Sequence, residues 1–126
     1  MKAVPAVILL AVLAWGETPR PIAGRIRIEK TASGAVRFSP AETVVWAGGQ
    51  LHWFNGTAEA HEPGVIRKDG SFVAFLDEPV AGRAASGVFS PQPRIDSAGK
   101  QVPFTLHYVC GRHREEQGDI QVIPTP

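Results

Sequence analysis

Glycine and proline recur along this chain, thirteen and eleven times in 126 residues, so that only short segments run between them. Such spacing suits many short strands joined by turns, and long helical periodicity is absent. The segments themselves alternate in the manner of strands. GRIRIEK sets Ile26 and Ile28 between charged neighbours, and ETVVWAGGQLHWFN holds two β-rich runs about a Gly48-Gly49 turn. FTLHYVC and DIQVI mix β-branched and aromatic residues with polar ones. These patterns predict an all-β chain that closes as a sandwich. The segment from 79 to 100, PVAGRAASGVFSPQPRIDSAGK, is rich in Ala, Gly, Ser and Pro and reads as loop with one short strand about SGVFS.

The first sixteen residues, MKAVPAVILLAVLAWG, carry Lys2, an apolar run and small residues at Ala14 and Gly16. They read as an export signal cleaved after Gly16, which would place the mature chain in the periplasm or outside the cell. The run falls short of the roughly 20 residues of a bilayer span, and no membrane span is expected after cleavage. A flexible mature N-terminus over 17–24 and one domain over 25–126 follow, and a chain of this size is too short for two cores. Lys2 leaves with the signal, so twelve Lys and Arg face twelve Asp and Glu. No basic patch remains of the kind that binds nucleic acid.

The chain has a single cysteine, and an exported protein normally uses cysteines in pairs. Cys110 and His113 stand at C-x2-H, and a thiolate and an imidazole that close can face one point if the backbone turns tightly between them. Gly111 is expected to permit that turn. The pair needs a further ligand from elsewhere. His52 lies between Leu51 and Trp53, so the pleat turns it outward if those two face the core. His107 precedes Cys110 by three in an extended run and leaves by the opposite face. His61 follows a strand by a few residues in the loop NGTAEAHEPG, where a side chain can be aimed at a site, and is the best third ligand.

Taken together, LHWFN, AEAHEP, DGSF and YVCGRHREEQGDIQV resemble the cupredoxins, the small type 1 blue-copper proteins of the amicyanin and plastocyanin kind. The family pattern is an extended run ending in Trp-x-Asn, a ligand histidine a few residues on, and a C-terminal Cys-x-x-His loop with an axial Met before x-Gly and a last strand. The resemblance runs from about Arg25 to Ile123. It implies a Greek-key β-sandwich of about seven to eight strands, one copper ion held by His61, Cys110 and His113, and transient single-electron exchange with redox protein partners by a monomer. One soft thiolate and two imidazoles with a weak fourth donor suit both Cu(I) and Cu(II). The edge of His113 would be the electron port, rimmed by Arg112, Arg114 and Glu115 instead of apolar residues.

Two departures from the pattern matter. The only methionine is Met1, and alignment on Gly118 puts Glu116 in the axial position, with Gln117, off by one in this register, as its competitor. A carboxylate is harder than a thioether and favours Cu(II), which implies a lower reduction potential. Glu115 reads as a solvated rim charge. After His61 the family often has an Asn that braces the Ser or Thr following the cysteine; Glu62 and Gly111 stand there instead. The backbone amide of Glu62 remains available to the sulfur. A copper-binding carrier or sensor module, the same donors filled with zinc, and a metal-free domain with a buried thiol are the competing readings.

Overall fold

The computed structural model describes residues 22–126. The expected signal at 1–16 lies outside them. So does the expected N-terminal lead up to residue 21, while Ala23 and Gly24 already belong to the first strand. Ten strands follow in chain order, β1 (Ala23–Lys30), β2 (Val36–Ser39), β3 (Glu42–Trp46), β4 (Gln50–Asn55), β5 (Pro63–Ile66), β6 (Phe72–Ala74), β7 (Arg94–Ile95), β8 (Gln101–Val102), β9 (Phe104–Cys110) and β10 (Gln117–Ile123). β7 and β8 form only a two-residue ladder. The other eight make two sheets, in the orders β2-β1-β4 and β3-β10-β9-β5-β6.

Period-two burial drives both sheets to one core. In β1, Ile26 and Ile28 are buried while Arg25 and Arg27 are exposed. Phe38, Leu51 and Trp53 join them from the small sheet, and Val45, Tyr108, Cys110, Ile120 and Val122 come from the large one. Each fully buried large side chain contributes about 1.5–3 kcal/mol. Trp53 lies centrally, edge-on to Tyr108 with ring centroids 5.8 Å apart and stacked on Phe75 at 5.9 Å.

Two of the pairings are parallel, β1 with β4 and β3 with β10. Parallel neighbours need crossover connections, and the chain changes sheets between β2 and β3, between β3 and β4, and between β4 and β5. β3 and β4 are joined through Ala47–Gly49, where Gly48 takes φ 81°, a conformation that favours glycine. β4 then ends at Asn55, and the chain crosses back to the large sheet through a loop that carries His61.

The segment from 79 to 100 is largely loop, and the part about SGVFS expected to be strand pairs with β4 through isolated bridges, while a two-residue strand follows at Arg94–Ile95. The bridged part lies along β4, with hydrogen bonds from Leu51 N to Phe89 O at 2.8 Å, from Phe89 N to Leu51 O at 2.7 Å and from Ser86 N to Trp53 O at 2.7 Å. Phe89 faces Leu51 and Ala85 faces Phe54, so the segment spends one residue more than β4 over the same span. That is a bulge. The Ser86 hydroxyl sits in it and accepts the Trp53 main-chain N–H at 2.9 Å. The small sheet therefore gains an irregular fourth member along β4, and its Phe89 ring lies 6.3 Å from that of Trp53.

Candidate metal centre

Two segments, far apart in sequence, meet at one end of the sandwich. The first is the loop after β4. Asn55, fully buried, organises it: its Nδ2 donates to Glu59 O at 2.6 Å and Val80 O at 3.1 Å, and its Oδ1 accepts from Thr57 N at 2.9 Å. The Thr57 hydroxyl donates to the same Oδ1 at 2.7 Å, with Glu59 O as a second acceptor at 3.1 Å. His61 is then tied to Val80 by reciprocal main-chain bonds of 3.1 and 2.7 Å. Its side chain is 1% exposed.

The second segment is the turn from β9 into β10. His113 N donates to Cys110 O at 3.2 Å, Glu116 N donates to His113 O at 2.9 Å, and Cys110 N donates to Glu116 O at 3.0 Å. Two successive three-residue steps of this kind bring residues 110, 113 and 116 to one side of the loop. The C-x2-H-x2-E spacing is therefore the period of the turn. Gly111 was expected to supply that turn, but it is not among the glycines with positive φ. Its role is steric, because a Cβ there would meet the Phe72 ring.

The donor atoms of His61, Cys110, His113 and Glu116 all lie within 4.8 Å of one another. Cys110 Sγ is 3.7 Å from His61 Nδ1 and 3.9 Å from His113 Nδ1. The Glu116 carboxylate places Oε1 3.0 Å from His61 Nδ1 and Oε2 3.5 Å from His113 Nδ1. Bonds of about 2.3 Å to sulfur and about 2.05 Å to nitrogen, in tetrahedral to trigonal geometry, require S···N edges of roughly 3.6–3.8 Å. The observed edges are close to that range.

The tautomer of His61 follows from its partners. The Thr57 hydroxyl has one hydrogen, and its neighbours Asn55 Oδ1 and Glu59 O are both pure acceptors. Toward His61 Nε2, 3.0 Å away, it therefore accepts. With Nε2–H directed at Thr57, Nδ1 faces a carboxylate oxygen 3.0 Å off. A proton or a metal ion can bridge that pair, and Glu116 is only 6% exposed. The donor set thus fits a metal ion, with thiol, two imidazoles and a carboxylate converging on one point.

Glu62 N donates to Cys110 Sγ at 3.3 Å, and Glu62 O accepts from Gly111 N at 2.8 Å. The remaining expectations separate cleanly. Gln117 is exposed, its amide 3.5 Å from Arg114 O, so Glu116 and not Gln117 turns inward. Glu115, Arg112 and Arg114 are exposed, and the His113 side chain is 36% exposed. His52 is half-buried on the face of β4 opposite Leu51 and Trp53. His107 is exposed and hydrogen-bonded to Asp119 at 2.6 Å. Thr57 was not singled out from sequence; the cue was its place two residues beyond a strand-ending Asn.

The described fold has close structural counterparts. Amicyanin from Paracoccus versutus superposes with a TM-score of 0.56 at 20% identity, covering 85% of this chain and 86% of amicyanin. A purple cupredoxin from Nitrosopumilus maritimus gives 0.57 at 17% identity, covering 79% of this chain and 98% of its own. The fold is that of the cupredoxins. At the level of sequence, no family model and no curated protein matches the chain. The cupredoxin sandwich places a His, Cys, His and Glu cluster where one strand-to-strand turn meets one crossover loop.

Proposed function

We propose that the chain is an exported mononuclear copper protein that carries single electrons between redox partners and is not an enzyme. The convergence of four donors of suitable chemistry, His61, Cys110, His113 and Glu116, at the end of a packed sandwich carries this reading. A mutant of amicyanin, whose fold this chain shares, has been solved in a reduced Cu(I) form. Copper held here would supply the one-electron couple. The chain's residues would fix the geometry. Thr57 orients His61, Glu62 N–H stabilises charge on the Cys110 sulfur, and the turn bonds hold 110, 113 and 116 in step. A site whose donors are already placed needs little rearrangement between oxidation states, which keeps transfer fast.

In this reading residues 1–16 are the signal, 17–24 a short lead and 25–126 the copper domain, delivered to the periplasm or beyond. His113, partly exposed beside Arg112, Arg114 and Glu115, would face a transient, salt-sensitive protein partner, with the domain acting as a monomer. The buried Glu116 carboxylate favours a second reading, a copper or zinc carrier or sensor module without turnover, since a hard anionic donor disfavours Cu(I).

The visible spectrum of the mature domain with Cu(II), beside Cys110→Ser, tests the copper site. An intense thiolate-to-copper band that disappears in the variant is the expected result; no band in either protein refutes it. Reversible one-electron voltammetry then selects the electron carrier over the binding module.

A further inference from the structure

The side-chain brace that cupredoxins are expected to have beside the cysteine is absent here, with Glu62 and Gly111 in its two positions. Main chain takes its place, through Glu62 N to Cys110 Sγ at 3.3 Å and Gly111 N to Glu62 O at 2.8 Å. Glu62 and Gly111, which supply the donors of both bonds, are half-buried near the end of the sandwich, while the Cys110 sulfur is fully buried. Bonds of this kind are easily opened by water unless something covers them.

Phe72 lies beside them. A Cβ on Gly111 would stand 2.6 Å from Phe72 Cε2 and 2.7 Å from Cζ, and a Cβ on Gly64 would stand 2.6 Å from the same Cζ. One ring edge thus fills the space above two glycines on neighbouring strands, β5 pairing Gly64 with Val109 of β9 and Pro63 with Cys110. Neither glycine has a positive φ, so no turn demands them. Their shared property is the missing side chain. Phe72 itself is the first residue of β6, whose antiparallel pairing with β5 sets it opposite Ile66.

We propose that Phe72 is the positioning residue of the cysteine loop: its ring, seated in the slot made by Gly64 and Gly111, presses Gly111 against Glu62 and shields the two main-chain bonds that fix the Cys110 sulfur. The proposal deepens the copper reading and rests on it for its purpose, although the shielding itself exists without metal. A fixed N–H···S bond orients a ligand thiolate and tunes the metal it holds.

The test uses the metal-free mature protein first. Alkylation of Cys110 by iodoacetamide and hydrogen exchange at the Gly111 amide are followed in wild type, Phe72→Ala, Phe72→Leu and Gly111→Ala, with thermal unfolding beside each. Phe72→Ala is expected to raise both rates about tenfold or more through local opening. Phe72→Leu, which partly refills the slot, returns them toward wild type. Gly111→Ala, with the ring intact but displaced, matches Phe72→Ala. In Cu(II)-loaded protein the thiolate band shifts in Phe72→Ala and is restored by leucine.

Wild-type alkylation and exchange rates in Phe72→Ala, with only a lowered melting temperature, would make Phe72 ordinary packing and overturn the proposal. Should Phe72→Ala fail to fold, wild-type alkylation and exchange rates in Gly111→Ala overturn it equally. Phe72-dependent thiol protection in a protein that shows no copper band would sink the copper reading and leave the positioning role standing.

Discussion

Replacing Thr57 by valine tests the logic of the metal centre at one atom. The side chain keeps its shape and loses the hydroxyl that accepts His61 Nε2–H at 3.0 Å and donates to Asn55 Oδ1 at 2.7 Å. Asn55 Oδ1 retains the Thr57 main-chain N–H at 2.9 Å, so it remains bonded. His61 Nε2 does not, and its side chain is 1% exposed, so water has no ready access to replace the acceptor. A buried donor left unpaired costs about 1–3 kcal/mol. Taking about 2 kcal/mol and a urea slope of about 1.5 kcal/mol per molar for a domain of this size, the unfolding midpoint of metal-free protein falls by about 1.3 M. In the proposed copper site, loss of the group that orients His61 lowers metal affinity about 10–100-fold, measured by chelator competition. Thr57→Ser keeps the hydroxyl and restores both. Nitrogen chemical shifts of His61 report the Nε2–H tautomer directly in wild type. A valine variant that unfolds at the wild-type midpoint and binds copper equally well would refute the tautomer assignment and the orientation argument with it.

Glu116→Met exchanges a hard carboxylate for a soft thioether, so Cu(I) gains relative to Cu(II) and the reduction potential rises, by ~59 mV for each tenfold change in relative affinity. Voltammetry showing an unchanged potential would remove Glu116 from the ligand set. Burial pushes the Tyr108 hydroxyl well above its ordinary pKa, so the folded protein keeps this proton at pH values where the unfolded chain releases it. Its contribution to stability is complete below about pH 10 and declines as pH rises beyond it, at up to ~1.4 kcal/mol per pH unit. Urea midpoints falling between pH 10 and 11, with no tyrosinate absorbance from this single tyrosine until unfolding, are the expected result.

Local pattern settled much of this protein. Alternation between apolar and polar residues set which face of β1, β4 and β9 turned inward, and with it placed His52 and His107 away from the cluster. The spacing of Cys110, His113 and Glu116 is that of two successive turns, a local property written within seven residues. Pairing was another matter. The parallel neighbours β1 and β4, the three- and four-residue strands β6 and β5, and the bulged edge along β4 depend on contacts across the chain, which no short window contains. Gly111 shows the difference most directly. Its sequence context suggested conformational freedom, but the residue that requires a glycine there is Phe72, thirty-nine positions earlier. The sequence alone therefore carried the strand faces and the donor types. The tertiary structure alone decided which strands lie together, how Thr57 aims His61 and what covers the cysteine loop, because those outcomes are fixed by packing between residues remote in the chain.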